Sequence, residues 1–187
     1  MRLFGSYKEE NILAKVKQGD GKAMRTLYDR NIEYMSAVCA RYIADVETRK
    51  DILQDAFIKI ISSIGSFHYR GEGSLKAWML RITANEALNY LRQAASKQLV
   101  EYDDKLPDVA EEPEVEGLSP DVLRHLILRL PPGYRMVLNL YVFENKSHKE
   151  IAQLLGIGES SSASQFLRAK ALLAKFINEY KKSHIND

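Results

Sequence analysis

Cysteine is nearly absent from this chain of 187 residues: Cys39 stands alone. A lone thiol excludes an internal disulfide and any multi-thiolate metal site. Proline is scarce and confined, its five copies all falling between Pro107 and Pro132. The long segments on either side therefore lack a helix breaker of that kind. No run approaches the ~18 consecutive apolar residues of a membrane span, so no membrane insertion is expected. The opening MRLFGSYKEENILAKVKQ carries acidic residues and lacks an apolar core ahead of a small-residue cleavage site. That is not a secretory signal, and the expected place is the cytoplasm. The four histidines, His68, His125, His148 and His184, are scattered. With no HExxH, no Walker-type loop and no GxSxG, nothing points to an enzyme, and no metal or cofactor is expected. Gly71 and Gly73 form a GxG with no strand before them, which is no nucleotide-binding fingerprint.

What is present is ordinary in bulk and informative in layout. Hydrophobic residues make up 45% and charged residues 28%, a soluble globular balance. The formal net charge is +2, but it is unevenly spread. Residues 1–96 hold fifteen Lys/Arg against eleven Asp/Glu, residues 97–120 two against eight, and residues 121–187 ten against six. Two mildly basic blocks thus flank an acidic one, and both can approach a polyanion. The acidic stretch, DDKLPDVAEEPEVEGLSP at its heart, has neither helical nor strand period and reads as a flexible tether. The expected organisation is an N-terminal domain over 1–96, a linker over 97–120 and a C-terminal domain over 121–187.

The flanking blocks are helical by period. In DILQDAFIKIISSI the apolar positions Ile52, Leu53, Ala56, Phe57, Ile60, Ile61 and Ile64 form one continuous stripe on a helix. Upstream, Met24, Leu27, Tyr28, Ile32, Met35, Val38, Cys39, Tyr42 and Ile43 form a similar stripe after the break at Gly19-Asp20-Gly21. Cys39 falls within it, as a small buried hydrophobe. Ser74 is placed to cap a helix through LKAWMLRITANEALNYLRQ, whose apolar side is Leu75, Trp78, Met79, Ile82, Leu88 and Leu91. The first domain is expected to be an all-α bundle of about four helices.

The C-terminal block opens at Asp121, just after Pro120, and resumes after Pro131-Pro132-Gly133 through Val137, Leu138, Tyr141 and Val142. Ser147 then precedes Glu150 by three residues, the spacing of a capping box at the head of a short helix EIAQLLG. Ile151, Leu154 and Leu155 are expected to face inward. Gly156-Ile157-Gly158 makes a turn, and a second helix opens near Glu159. This is the spacing of a helix-turn-helix. Projection puts Ser162, Phe166, Ala169 and Leu173 on the buried face. Ser161, Ser164, Gln165 and Arg168 lie outward, as hydroxyls, an amide and a guanidinium that suit base edges and phosphates in a major groove.

At these residues the chain resembles a family. LPPGYRMVLNLYVFENKSHKEIAQLLGI followed by SQFLRAK is similar to the minus-thirty-five-binding domain of bacterial sigma factors of the sigma-70 family, above all the extracytoplasmic-function (ECF) group. QGDGKAMRTLYDR, DILQDAFIKI and FHYRGEGSLKAWMLRITANEALNYLR are similar to that group's polymerase-binding and minus-ten-recognition regions. The likeness runs over most of residues 8–175 in family order. It implies an all-α protein of two small helical domains, with core RNA polymerase and promoter DNA as partners and an anti-sigma factor as a further one. It implies a free monomer, and a function of directing promoter recognition, DNA opening and transcription initiation.

The same resemblance assigns residues. Asp51, Gln54, Asp55 and Lys59 would face the polymerase, as a charge-alternating surface that sets specificity and rate. His68, Tyr69 and Arg70, with Trp78, Arg81, Asn85, Asn89 and Arg92, would hold the opened minus-ten DNA, Asn85 in the base pocket. Unpaired bases call for aromatic planes, amides and cations of this kind, although Trp78 shares its face with Leu75, Met79 and Ile82 and reads as wedged in the core. Lys149, Ser161, Ser164, Gln165 and Arg168 would meet the minus-thirty-five element. The chain departs from the family where Ser160, Ser161, Ser162 and Ala163 replace a Gly-Thr, β-branched and basic run. Ser162 there puts a hydroxyl where an apolar plug is expected. A helix-turn-helix regulator with a helical sensor or dimerisation domain is the alternative.

Overall fold

The computed structural model describes residues 9–96 and 113–184. Its elements are α1 (Glu9–Lys17), α2 (Gly21–Ala40), α3 (Val46–Ser63), a 3-10 turn (Ile64–Ser66), α4 (Ser74–Ser96), α5 (Pro120–Leu128), α6 (Pro132–Val142), α7 (His148–Leu155) and α8 (Glu159–His184). Among the described residues there is no strand, so the all-α expectation holds. Two compact units emerge, one of the described parts of Met1–Ala40 and Asp45–Ala87, the other of Arg41–Ala44 and Leu88–Asp187. Most of the acidic stretch, residues 97–112, lies outside the described residues, and the tether expected there with it.

In the first unit α2 and α3 each start where an aspartate carboxylate meets bare N–H groups. Asp20 accepts from the backbone of Lys22 at 2.8 Å and Ala23 at 3.1 Å at the head of α2. Asp45 accepts from Thr48 at 2.7 Å at the head of α3. These backbone donors hold both carboxyls below the ordinary aspartate range, as an N-cap favouring the anion should. The apolar stripe of α3 is buried at Ile52, Leu53, Ala56 and Ile60. Phe57 meets Tyr28 of α2 edge to face, centroids 4.9 Å apart. Cys39 is fully buried, and desolvation pushes its thiol up to about 11, the inert state of a structural cysteine. One stripe was read too far. Helix α2 ends at Ala40, and Tyr42 and Ile43 lie in the turn beyond it. Both are nonetheless buried, so their apolar spacing reported burial, which a turn supplies without helical backbone.

In the second unit Ser119 caps α5, its hydroxyl accepting from Val122 at 3.3 Å, and Pro120 is the first helical residue. The helix thus opens one residue before Asp121, since a proline at that position loses no hydrogen bond. Leu126, Ile127 and Leu130 with Tyr134 and Leu138 of α6 pack against Ala169, Leu173 and Ile177 of α8. Burying each of the large side chains contributes about 1.5–3 kcal/mol. Asn139, fully buried, donates to the Arg135 carbonyl one turn back at 3.0 Å. This core leaves α7 and the first half of α8 as an appended helix pair.

Candidate nucleic-acid interface

The helix pair is built from the turn outward. Ser147 accepts from the Glu150 backbone at 3.3 Å while the Glu150 carboxylate accepts from the Ser147 backbone at 2.9 Å. The capping box is complete. The Ser147 backbone donor, then its hydroxyl and Lys146, hold the Glu150 carboxyl down at about 2. At the other end of α7, Gly156 adopts φ 69° and its N–H donates to the Ala152 carbonyl, a left-handed cap that glycine takes without steric cost. Ile151 is fully buried and Leu155 half-buried, whereas Leu154 is 39% exposed. The expectation that Leu154 faces inward is therefore corrected: an eight-residue helix has only one buried stripe, and Ile151 with Ala152 fills it.

Along α8 the projected buried face is observed, with Ser162 and Ala169 at 0% exposure, Leu173 buried and Phe166 packed against the core. The hydroxyl of Ser162 is not orphaned. It shares a hydrogen bond of 3.0 Å with His148 Nδ1 at the head of α7. The His148 ring stacks on Tyr141 at 4.7 Å, and Tyr141 meets Phe166 at 4.3 Å. The expected apolar plug is thus replaced by a polar pair inside an aromatic cluster. Ser161, Ser164 and Lys149 are exposed, and Gln165 and Arg168 are half-buried. Hydroxyls, an amide and two cations therefore lie on the open side of the pair.

On α4, Arg81, Asn85, Asn89 and Arg92 are all exposed, and their spacing of four, four and three residues puts them on one face. Trp78 is half-buried and lies 4.9 Å from the Phe67 ring, so it wedges the loop onto the helix as its neighbours suggested. In the loop, His68 and Arg70 are exposed while Tyr69 is half-buried. Tyr69 borders a recess of about 580 Å³ shared with Glu9, Glu10, Arg30, Glu72 and Lys76. Burial, with Glu9, Glu10 and Glu72 nearby, pushes its phenol up.

The cap of α4 differs from expectation. Ser74 is the first helical residue, and its hydroxyl turns back on the loop, donating to the Gly71 carbonyl at 2.6 Å and accepting from Arg70 N–H at 3.2 Å. The bare N–H groups of Gly73 and Lys76 instead donate to the Glu9 carboxylate, at 2.8 and 3.1 Å. A carboxylate from α1 caps α4.

On α3, Asp51, Gln54, Asp55 and Lys59 are exposed together, and Lys59 is paired with Glu86 at 2.6 Å. Exposure adds two side chains that the apolar pattern passed over, Ile58 at 59% and Tyr90 at 44%. Ile58 could have been found as the one isoleucine of its segment outside the stripe. Among the described residues no cluster of His, Cys, Asp or Glu could hold a metal ion, and no helix is long and apolar enough to cross a membrane.

A helix-turn-helix with an open polar face, carried by an all-α chain with a second exposed face of cations and amides, defines a helical protein of the DNA-recognition class. The comparisons with known proteins agree. Sigma-70 region 2 matches residues 27–97, and sigma-70 region 4 matches residues 121–173. The chain is 29% identical over 178 residues to the ECF RNA polymerase sigma-E factor of Haemophilus influenzae, covering 88% of this chain and 93% of that one. It is 31% identical over 136 residues to the RNA polymerase sigma factor YlaC of Bacillus subtilis, covering 70% and 78%. Among solved structures it is similar to CnrH in complex with the cytosolic domain of CnrY, at 21% identity and TM-score 0.47, covering 90% and 96%. The chain belongs to the sigma-70 family of RNA polymerase sigma factors, in its ECF group.

Proposed function

We propose that this chain binds core RNA polymerase and directs it to promoters, opening the DNA for initiation. The observation that carries the reading is the presence of sigma-70 regions 2 and 4 in one chain. A helix-turn-helix regulator needs only the second. Sigma factors are initiation factors, and the exposed residues divide accordingly. The α3 face of Asp51, Gln54, Asp55 and Lys59, with Ile58 exposed among them, meets the polymerase. An apolar side chain amid charges suits it, because buried apolar contact supplies affinity while rim charges supply rate and specificity.

His68 and Arg70 of the loop, with Arg81, Asn85, Asn89 and Arg92 of α4, take the minus-ten DNA. There cations follow the backbone and amides meet unpaired base edges. Lys149, Ser161, Ser164, Gln165 and Arg168 read the minus-thirty-five element. The working division is 1–96, 97–120 and 121–187, in the cytoplasm, with an anti-sigma factor as a regulatory partner.

Titration of the labelled full chain with purified core polymerase tests the reading. Replacing Gln54 by Ala together with Asp55 by Lys should weaken that binding with helicity unchanged. A chain that ignores core yet binds promoter DNA unaided would be a regulator instead.

A further inference from the structure

We propose that α1 is a brace that holds the loop between α3 and α4 in the shape required for promoter opening, with Glu9 and Lys17 as its positioning residues. The inference rests on the assignment of that loop to the minus-ten DNA. The two residues stand eight positions apart, about 12 Å along a helix. Each grips one end of the loop. Lys17 Nζ donates to the Phe67 carbonyl at 2.7 Å, where the loop begins. The Glu9 carboxylate accepts from Gly73 and Lys76 N–H, where it ends.

Neither contact serves α1 itself. The helix is docked by Ile12, Leu13 and Val16, all buried, and would remain so with neutral ends. What the charged ends do is tie both ends of the loop to a second helix, beyond the local contacts it makes with Ser74 and Trp78 of α4. His68 and Arg70 are exposed, and Gly71 and Gly73 take φ of 110° and 83°, conformations open to glycine and costly to order. Tyr69 borders the recess lined by Glu9 and Glu10, while His68 and Arg70 stay exposed. Lys76, just inside α4, is held in turn over the Tyr34 ring at 3.0 Å. The loop's ordering entropy is thus met before DNA arrives, and prior ordering of this kind strengthens binding.

The test uses the full chain and two readouts. Trypsin cleavage after Arg70 reports loop order directly, and cleavage after Arg25 in α2 reports whether the unit as a whole has loosened. Permanganate reactivity of minus-ten thymines in the holoenzyme, on duplex and on pre-melted promoter, reports opening. Glu9→Ala and Lys17→Met should each speed cleavage after Arg70 and lower duplex opening by about three- to tenfold, the net worth of one exposed hydrogen bond. Cleavage after Arg25 should not change, and the deficit on pre-melted DNA should be smaller. Lys17→Arg, which keeps a donor, and Glu9→Gln, which keeps one acceptor oxygen, should recover most and part of the loss respectively.

Unchanged cleavage after Arg70 in both Glu9→Ala and Lys17→Met overturns the brace. So does normal opening by these variants while His68→Ala and Arg70→Ala fail to open the duplex. Should the loop variants also open the duplex normally, the loop's assignment to minus-ten DNA falls, and the brace's role in opening falls with it.

Discussion

The two candidate DNA-facing regions are held in place by different means. The helix pair α7–α8 is fixed by partners close in sequence: Ser147 with Glu150, Ala152 with Gly156, His148 with Ser162. The loop before α4 has local contacts with Ser74 and Trp78, but both its ends are also tied to α1, through residues 50 to 67 positions away. A reading element that must present the same face to every promoter gains from local, self-contained restraints. A loop proposed to take up an unpaired base gains from restraint supplied from elsewhere, which can be tightened or loosened without touching the residues proposed to meet DNA.

The sharpest break in this comparison is Ile151→Ala. The side chain is fully buried under α7, and its loss should cost about 2–5 kcal/mol of stability. Chemical denaturation of the full chain should register that cost, and duplex binding through the upstream element should fall with it. Cleavage after Arg70 should be unaffected, because the loop's restraints come from α1 and α4. A loop that loosened as well would show the two regions to be one cooperative element.

Next in size is Arg168→Ala. If the guanidinium reads a base, binding should weaken by roughly 1–3 kcal/mol with preference relaxed at one position of the upstream element. If it holds a phosphate, the loss should be uniform and the salt dependence shallower by about one unit of log–log slope. Base reading is expected, since hydroxyls dominate the rest of the face. Titration against single-base variants at two salt concentrations separates the outcomes, and unchanged binding throughout removes α8 as the reading helix.

The smallest effects sharpen the claim of local control. Ser147→Ala should cost about 1 kcal/mol as a lost N-cap, measured by thermal or urea unfolding. Glu150 adds a pH signature. Its folded carboxyl lies near 2, against an ordinary value of 4.5, chiefly through the Ser147 backbone donor. A carboxyl lowered on folding stabilises above its unfolded value and loses that contribution as pH falls through its folded one. Wild type should therefore lose stability relative to Glu150→Gln between pH 4.5 and about 2. Parallel pH curves would remove the box from the energetics of the turn.

The same contrast explains what could be read from the chain. The capping box, the glycine turn and the buried face of α8 were legible because each is a pattern within one or two turns. The Leu154 and Tyr42 errors arose where periodicity is least informative, within a very short helix and past the end of a long one. It identifies apolar residues correctly but cannot say which of two apolar neighbours an eight-residue helix buries, nor where a helix gives way to a turn. Ser74 was misread for a deeper reason. A serine ahead of a helical stripe has the right chemistry for a cap, and only the folded chain reveals that Glu9, 65 positions earlier, takes the task. The exposed faces of α3 and α4 were recoverable as the complement of their apolar stripes, Ile58 included.

The hydrogen bond between His148 and Ser162 bears on how portable this recognition helix is. Transplanting α8 alone from a relative with an aliphatic residue at that position would strand the half-buried imidazole against a methyl group, beside the Tyr141 and Phe166 rings. A polar atom left without a partner there carries its own penalty. Positions 148 and 162 therefore travel as a linked pair, although they sit on different helices. A promoter-specificity graft limited to the helix that touches DNA would inherit a fault in the one that does not.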